Sequence, residues 1–163
     1  MTSRPRVLVR AAVRGAVAGM VGVAAMTAAE KVEQAVSRRP DSYVPGRALL
    51  TLLGRHPTDR DRPFVANQAL HWSTGAILGV LRGVWAAVGI RGPWANVAHT
   101  VARLSFDQTL ENTTGVGAPP ASWPVREQVA DFTHKGLYAT VTGVVADRWI
   151  APVLESRRGT VSH

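Results

Sequence analysis

Four long stretches of this chain alternate with segments rich in proline, glycine and charge. Residues 11–29 read AAVRGAVAGMVGVAAMTAA, with Arg14 the sole charge. As a helix this run spans about 28 Å, close to the thickness of a bilayer's hydrocarbon. The spacing predicts that the helix continues through Glu30, Lys31 and Glu33 to about Ser37 and that Pro40 stops it. Residues 64–90 form a second apolar stretch that carries Arg82 and His71. In the third, 94–112, His99, Arg103, Asp107 and Glu111 recur every four residues and so share one helical face. Such a stripe must face other helices or a wet cavity. Pro124 suits the first turn of a last helix that runs to about Ile150. Between the first two stretches, Pro40, Pro45, Pro57 and Pro63 interrupt the chain. ALLTLL (48–53) is too short to span and reads as interfacial.

The fold class expected from this pattern is all-α: a four-helix integral membrane bundle with a short interfacial helix in the first connector. One domain covers 1–155, with spans of about 11–30, 64–89, 94–112 and 128–150, and a polar tail follows at 156–163. Glycine sharpens the picture. Gly15 and Gly19 lie on one stripe, and Gly75, Gly79 and Gly83 on another. Small residues at this spacing let helices approach closely in lipid, so both stripes are expected to be helix-packing surfaces, with a homo-oligomer as one outcome.

The net charge of +8 comes almost wholly from arginine, since only Lys31 and Lys135 are lysine. The arginines cluster at the edges of apolar runs: Arg4, Arg6, Arg10 and Arg14; Arg38 and Arg39; Arg60 and Arg62; Arg157 and Arg158. Flanking arginine anchors membrane segments at headgroup level, whereas a nucleic-acid reader interleaves aromatics with a continuous basic stripe. No nucleic-acid partner is expected, and the expected partner is the lipid bilayer. The absence of cysteine excludes disulfide scaffolds, thiolate metal sites and cysteine nucleophiles. No phosphate-cradling glycine loop, G-x-S-x-G or H-E-x-x-H is present. Two rival readings stand beside the bundle. One is a secretory signal at 11–29, opposed by Arg14 and by the lack of a small-residue cleavage site before Glu30. The other is a soluble helical bundle, in keeping with a mean hydropathy of only +0.03.

Alternation of four spans brings particular helix ends to one membrane side. The polar cluster expected there is Glu30, His71, Asp107, Glu111, Asp131 and His134. Asp131-x-x-His134 puts a carboxylate and an imidazole on one face, and carboxylates from several helices with such a pair are the ingredients of a bundle metal site. A proton or ion relay is the other functional reading. The structural alternative is that Asp107 and Glu111 pair with Lys135, Arg103 or Lys31. A haem site built on His71, His99 and His134 is disfavoured, because His99 belongs near the opposite side.

AGMVGVAAMTAAE (18–30) and TGVGAPPASWPVREQVADFTHKGLYA (114–139) resemble a loop-and-helix pattern of the YagU-like inner-membrane proteins, a small bacterial family of uncharacterised function. The similarity covers about two thirds of the chain with gaps, and its motifs are loose; this chain is also shorter, lacks cysteine and has a more charged third helix. The resemblance implies a multi-pass protein of the bacterial inner membrane and no reaction or cofactor. The expected role is structural or stress-related, with a small proton- or ion-linked transporter or channel as the alternative.

Overall fold

The computed structural model describes residues 3–154. It is all-α, with five helices and, among the described residues, no strand. Helix α1 covers Arg4–Ser37, α2 Val44–Leu52, α3 Phe64–Ala87, α4 Gly92–Thr114 and α5 Val125–Trp149, and a single 3-10 turn covers Pro120–Ser122. The polar tail expected at 156–163, with Arg157 and Arg158, lies outside the described residues.

Local chemistry sets the boundaries. Helix α1 begins earlier than the apolar run because Pro5 suits a first turn and the flanking arginines are good helix formers. It ends at Arg38, whose φ of 57° places it in the left-handed region ahead of Pro40. Helix α2 starts at Val44, with Pro45 in its first turn, and so extends the short helix expected from 48–53.

The long helices run up, down, up and down. The two glycine stripes face each other across the α1–α3 contact. A Cβ on Gly15 would lie 2.8 Å from the Gly83 Cα, and one on Gly19 would lie 2.9 Å from the Gly79 Cα. Backbone therefore meets backbone, which only glycine allows. Both stripes are occupied within a single chain, so the homo-oligomer expected through them has no free glycine surface. Gly22 does the same for α5, since its Cβ would lie 2.8 Å from the Tyr138 carbonyl.

The interior is unusual in what fills it. One cluster is Ala11, Ala18, Ala86, Ala87 and Ala146 with Ile150, and the other is Val23, Met26, Leu78, Tyr138 and Ala139. Arg82, His99, Arg103 and Lys135 are buried as well. Many large apolar side chains are outside instead: Val17, Met20, Ile77, Val101, Phe132 and Val144 are exposed. Throughout α3 and α4, between Gly15 and Ala29 of α1, and between Gln128 and Asp147 of α5, no exposed position carries Asp, Glu, Lys or Arg. Among the described helices only α1 is long and apolar enough by itself to cross a membrane. The expectation that all four segments read as spans is thus met by α1 alone. The other three spend interior positions on charged and small polar side chains, and this lowers their mean hydropathy.

Candidate functional site

The end of the bundle that holds the end of α1, the starts of α3 and α5 and the end of α4 encloses a cavity of about 590 Å³. Glu30, His71, Asp107, Glu111, Asp131 and His134 all line it. Each helix delivers its share by period. In α4 the stripe Arg103, Asp107, Glu111 turns inward, and in α5 Asp131, His134 and Lys135 meet it.

Lys135 is the hub. Its Nζ lies 3.3 Å from Asp107 Oδ2 and 2.8 Å from Asp131 Oδ1, so one ammonium bridges two carboxylates from facing helices. Arg103 Nε holds the same Asp107 oxygen at 2.8 Å. The Arg103 guanidinium also sits over the Tyr138 ring, 5.0 Å from its centroid. Tyr138 in turn donates its hydroxyl to the Gly75 carbonyl at 2.7 Å. On the α1 side, the Thr27 hydroxyl and His71 Nε2 are 3.1 Å apart.

The rim is built by the turn after α1. The left-handed Arg38 swings Arg39 back over the helix end, where its guanidinium lies 3.0 Å from Glu33 and 3.7 Å from Glu30. Hydrogen bonds from the Ser37 hydroxyl and from Arg39 hold the Glu33 carboxyl below the usual glutamate range. Beside them, Lys31 pairs with Asp41 and lowers that carboxyl's pKa in the same way.

Of the pairings weighed from sequence, Asp107 takes both Arg103 and Lys135, while Lys31 goes to Asp41. Glu111 and His134 line the cavity without an ion pair among the described residues. No group of three or more His, Asp or Glu is arranged to hold a metal ion among the described residues. A lysine ammonium, rather than a shared cation, stands between Asp107 and Asp131. His99 lies elsewhere. It is fully buried, its Nε2 donates to the Leu78 carbonyl at 3.0 Å, and its ring contacts Trp85 and Tyr138. The three histidines therefore share no site.

A second polar centre, not anticipated from the sequence, lies toward the opposite end, beside a shallow cavity of about 650 Å³ that Gly92, Asn96, Thr140 and Asp147 help to line. Arg82 is 0% exposed. Its Nη2 donates to Asp147 Oδ2 at 2.8 Å and to Asn96 Oδ1 at 3.2 Å. Asp147 also accepts from the Gly92 amide at 3.0 Å, and Arg91 donates to the carbonyls of Asp147 and Ile150. Gly143 makes room, since a Cβ there would lie 2.8 Å from the Asn96 amide carbon. The signal in the sequence was Arg82 itself, the lone formal charge in the second apolar stretch, with a single acid, Asp147, near the end of the last.

No known protein family, curated protein or solved structure matches this chain.

Proposed function

We propose that this protein is a small multi-pass membrane protein whose four long helices span the bilayer, with α2 at the interface and a structural rather than catalytic role. The observation that carries the reading is the inverted distribution of side chains: charges are inside and a charge-free ring of Val, Ile, Met and Phe is outside. In water this arrangement is costly, whereas in lipid the outer ring is solvated by acyl chains and the inner charges are paired. Tryptophan adds support, with exposed Trp72 toward one end of the belt and exposed Trp94 and Trp149 at the other, where interfacial anchors belong. An even number of spans puts both termini on one side, in keeping with Arg14 donating to the Trp149 carbonyl at 2.7 Å. The resemblance to the YagU-like family favours the bacterial inner membrane. Extraction of cell membranes with alkaline carbonate tests the reading. The full-length protein is expected in the pellet, and its release into the supernatant means a soluble bundle instead.

A second reading, a proton- or ion-linked passage, draws on the cavity and on Glu111, which lines it without an ion pair among the described residues. The lining opposes it, because the cavity draws none of its residues from the Arg82 end. Proton flux into vesicles separates the two. Asp107→Asn is expected to leave flux unchanged in the structural reading, and an altered flux favours the passage.

A further inference from the structure

The connector between α1 and α3 combines two features that the packing of the bundle does not use. Helix α2 buries Gly46 and Ala48 against its neighbours, and the Gly46 amide donates to Asn67 Oδ1 at 2.9 Å. Its last turn then points apolar side chains outward: Leu52 is 59% and Leu53 67% exposed. The loop that follows carries Arg55, Arg60 and Arg62, all exposed and without an ion pair among the described residues. The acids of this loop do not balance its arginines: with Asp59 given to Arg47, only the Asp61 carboxylate stands against Arg55, Arg60 and Arg62. Asp59 pairs with Arg47 at 3.2 Å, and Asp61 accepts from the Thr58 amide at 2.6 Å and its hydroxyl at 3.0 Å.

Excess arginine beside exposed leucine is the composition of a surface that enters a headgroup layer. Leucine seats at the acyl boundary, and a guanidinium grips a phosphate through paired N–H donors. We propose that this connector docks onto anionic phospholipid, with Arg55, Arg60 and Arg62 on the headgroup phosphates and Leu52 and Leu53 below them. The proposal rests on the membrane reading above. Free phosphate would satisfy the arginines alone and leave the leucines in water, so a lipid is the occupant that uses both.

The chain contains no cysteine, so a single fluorophore can be placed at will. Leu53→Cys, labelled, is reconstituted as full-length protein in mixed phosphatidylcholine and phosphatidylglycerol vesicles, with one or the other lipid brominated as quencher. Val17→Cys, on the outer face of α1, is the control. The expected result is stronger quenching of position 53 by brominated phosphatidylglycerol. That preference falls about fivefold for each arginine replaced in Arg55→Gln, Arg60→Gln and Arg62→Gln, and it weakens in high salt. Equal quenching by the two lipids overturns the proposal, as does quenching at position 17 with none at position 53. Each leaves the membrane reading intact. Quenching at neither position overturns both.

Discussion

The two ends of this bundle each carry charge into the interior, and they house it differently. At the Arg82 end the chain turns from α3 to α4 through residues 88–91 alone, so the start of α4 is drawn against the end of α3. Asn96, the Gly92 amide and Asp147 then close around one guanidinium. At the Asp107 end the links are longer, 38–63 before α3 and 115–124 before α5. The helices there stand far enough apart to leave a cavity, and long side chains bridge it: Lys135 across α4 and α5, Arg39 over the end of α1. Connector length thus decides whether a buried charge is held by short contacts between neighbouring helix ends or bridged by long side chains across a cavity. The difference should appear as unequal costs of breaking each pair.

The largest effect is expected at the Arg82 end. Asp147→Ala strands a fully buried guanidinium, and removal of one partner of such a pair costs about 3–5 kcal/mol. The double variant Arg82→Met with Asp147→Ala should recover much of that loss, because an apolar replacement needs no counterion. Unfolding in a detergent titration measures both, and a single variant as stable as the parent would remove the contrast between the ends.

Next comes the contact that holds α1 to α3 along the length shared by both ends. Gly79→Leu forces a side chain into backbone, because even a Cβ there would lie 2.7 Å from the Gly19 Cα. Overpacking of this kind costs about 1–3 kcal/mol. The melting temperature in detergent should fall, and an unchanged value would mean that α1 and α3 do not meet through their glycines.

A smaller effect is expected at the open end. Asp107→Asn leaves Lys135 with Asp131 and keeps an amide oxygen for Arg103 Nε, and both cations line the cavity, so the loss should be about 1 kcal/mol. A cost equal to that of Asp147→Ala would show that Asp107 is as tightly bound into its cluster as Asp147 is to Arg82. The smallest effect concerns the connector loop. The Thr58 amide and hydroxyl hold the Asp61 carboxyl below the usual aspartate range. Its folded pKa is depressed, so its contribution is present above the unfolded value and is lost as pH falls through the folded one. Asp61→Asn should flatten the acid limb of a stability–pH curve slightly, and an unchanged curve would mean that this turn adds nothing.

What the sequence alone determined is what a helical period determines. Residues four apart share a face, so the inward stripe of Arg103, Asp107 and Glu111 and the glycine ladders at 15–19 and 75–83 were legible from spacing alone. The alternation of long segments was legible too, and with it the gathering of Glu30, His71, Asp107, Glu111, Asp131 and His134 at one end. The period does not report how far one helix slides along another or how it turns about its own axis. A shift of one turn is about 5.4 Å, enough to decide whether Lys135 reaches Asp107 or misses it. The tertiary structure alone decided that Lys135 bridges Asp107 and Asp131, that Arg39 folds back onto Glu33, that Glu111 has no ion pair among the described residues, and that Arg82 finds Asp147. Each of these pairs is set by the register between separate elements, and glycine-against-glycine contact fixes that register where α1 meets α3.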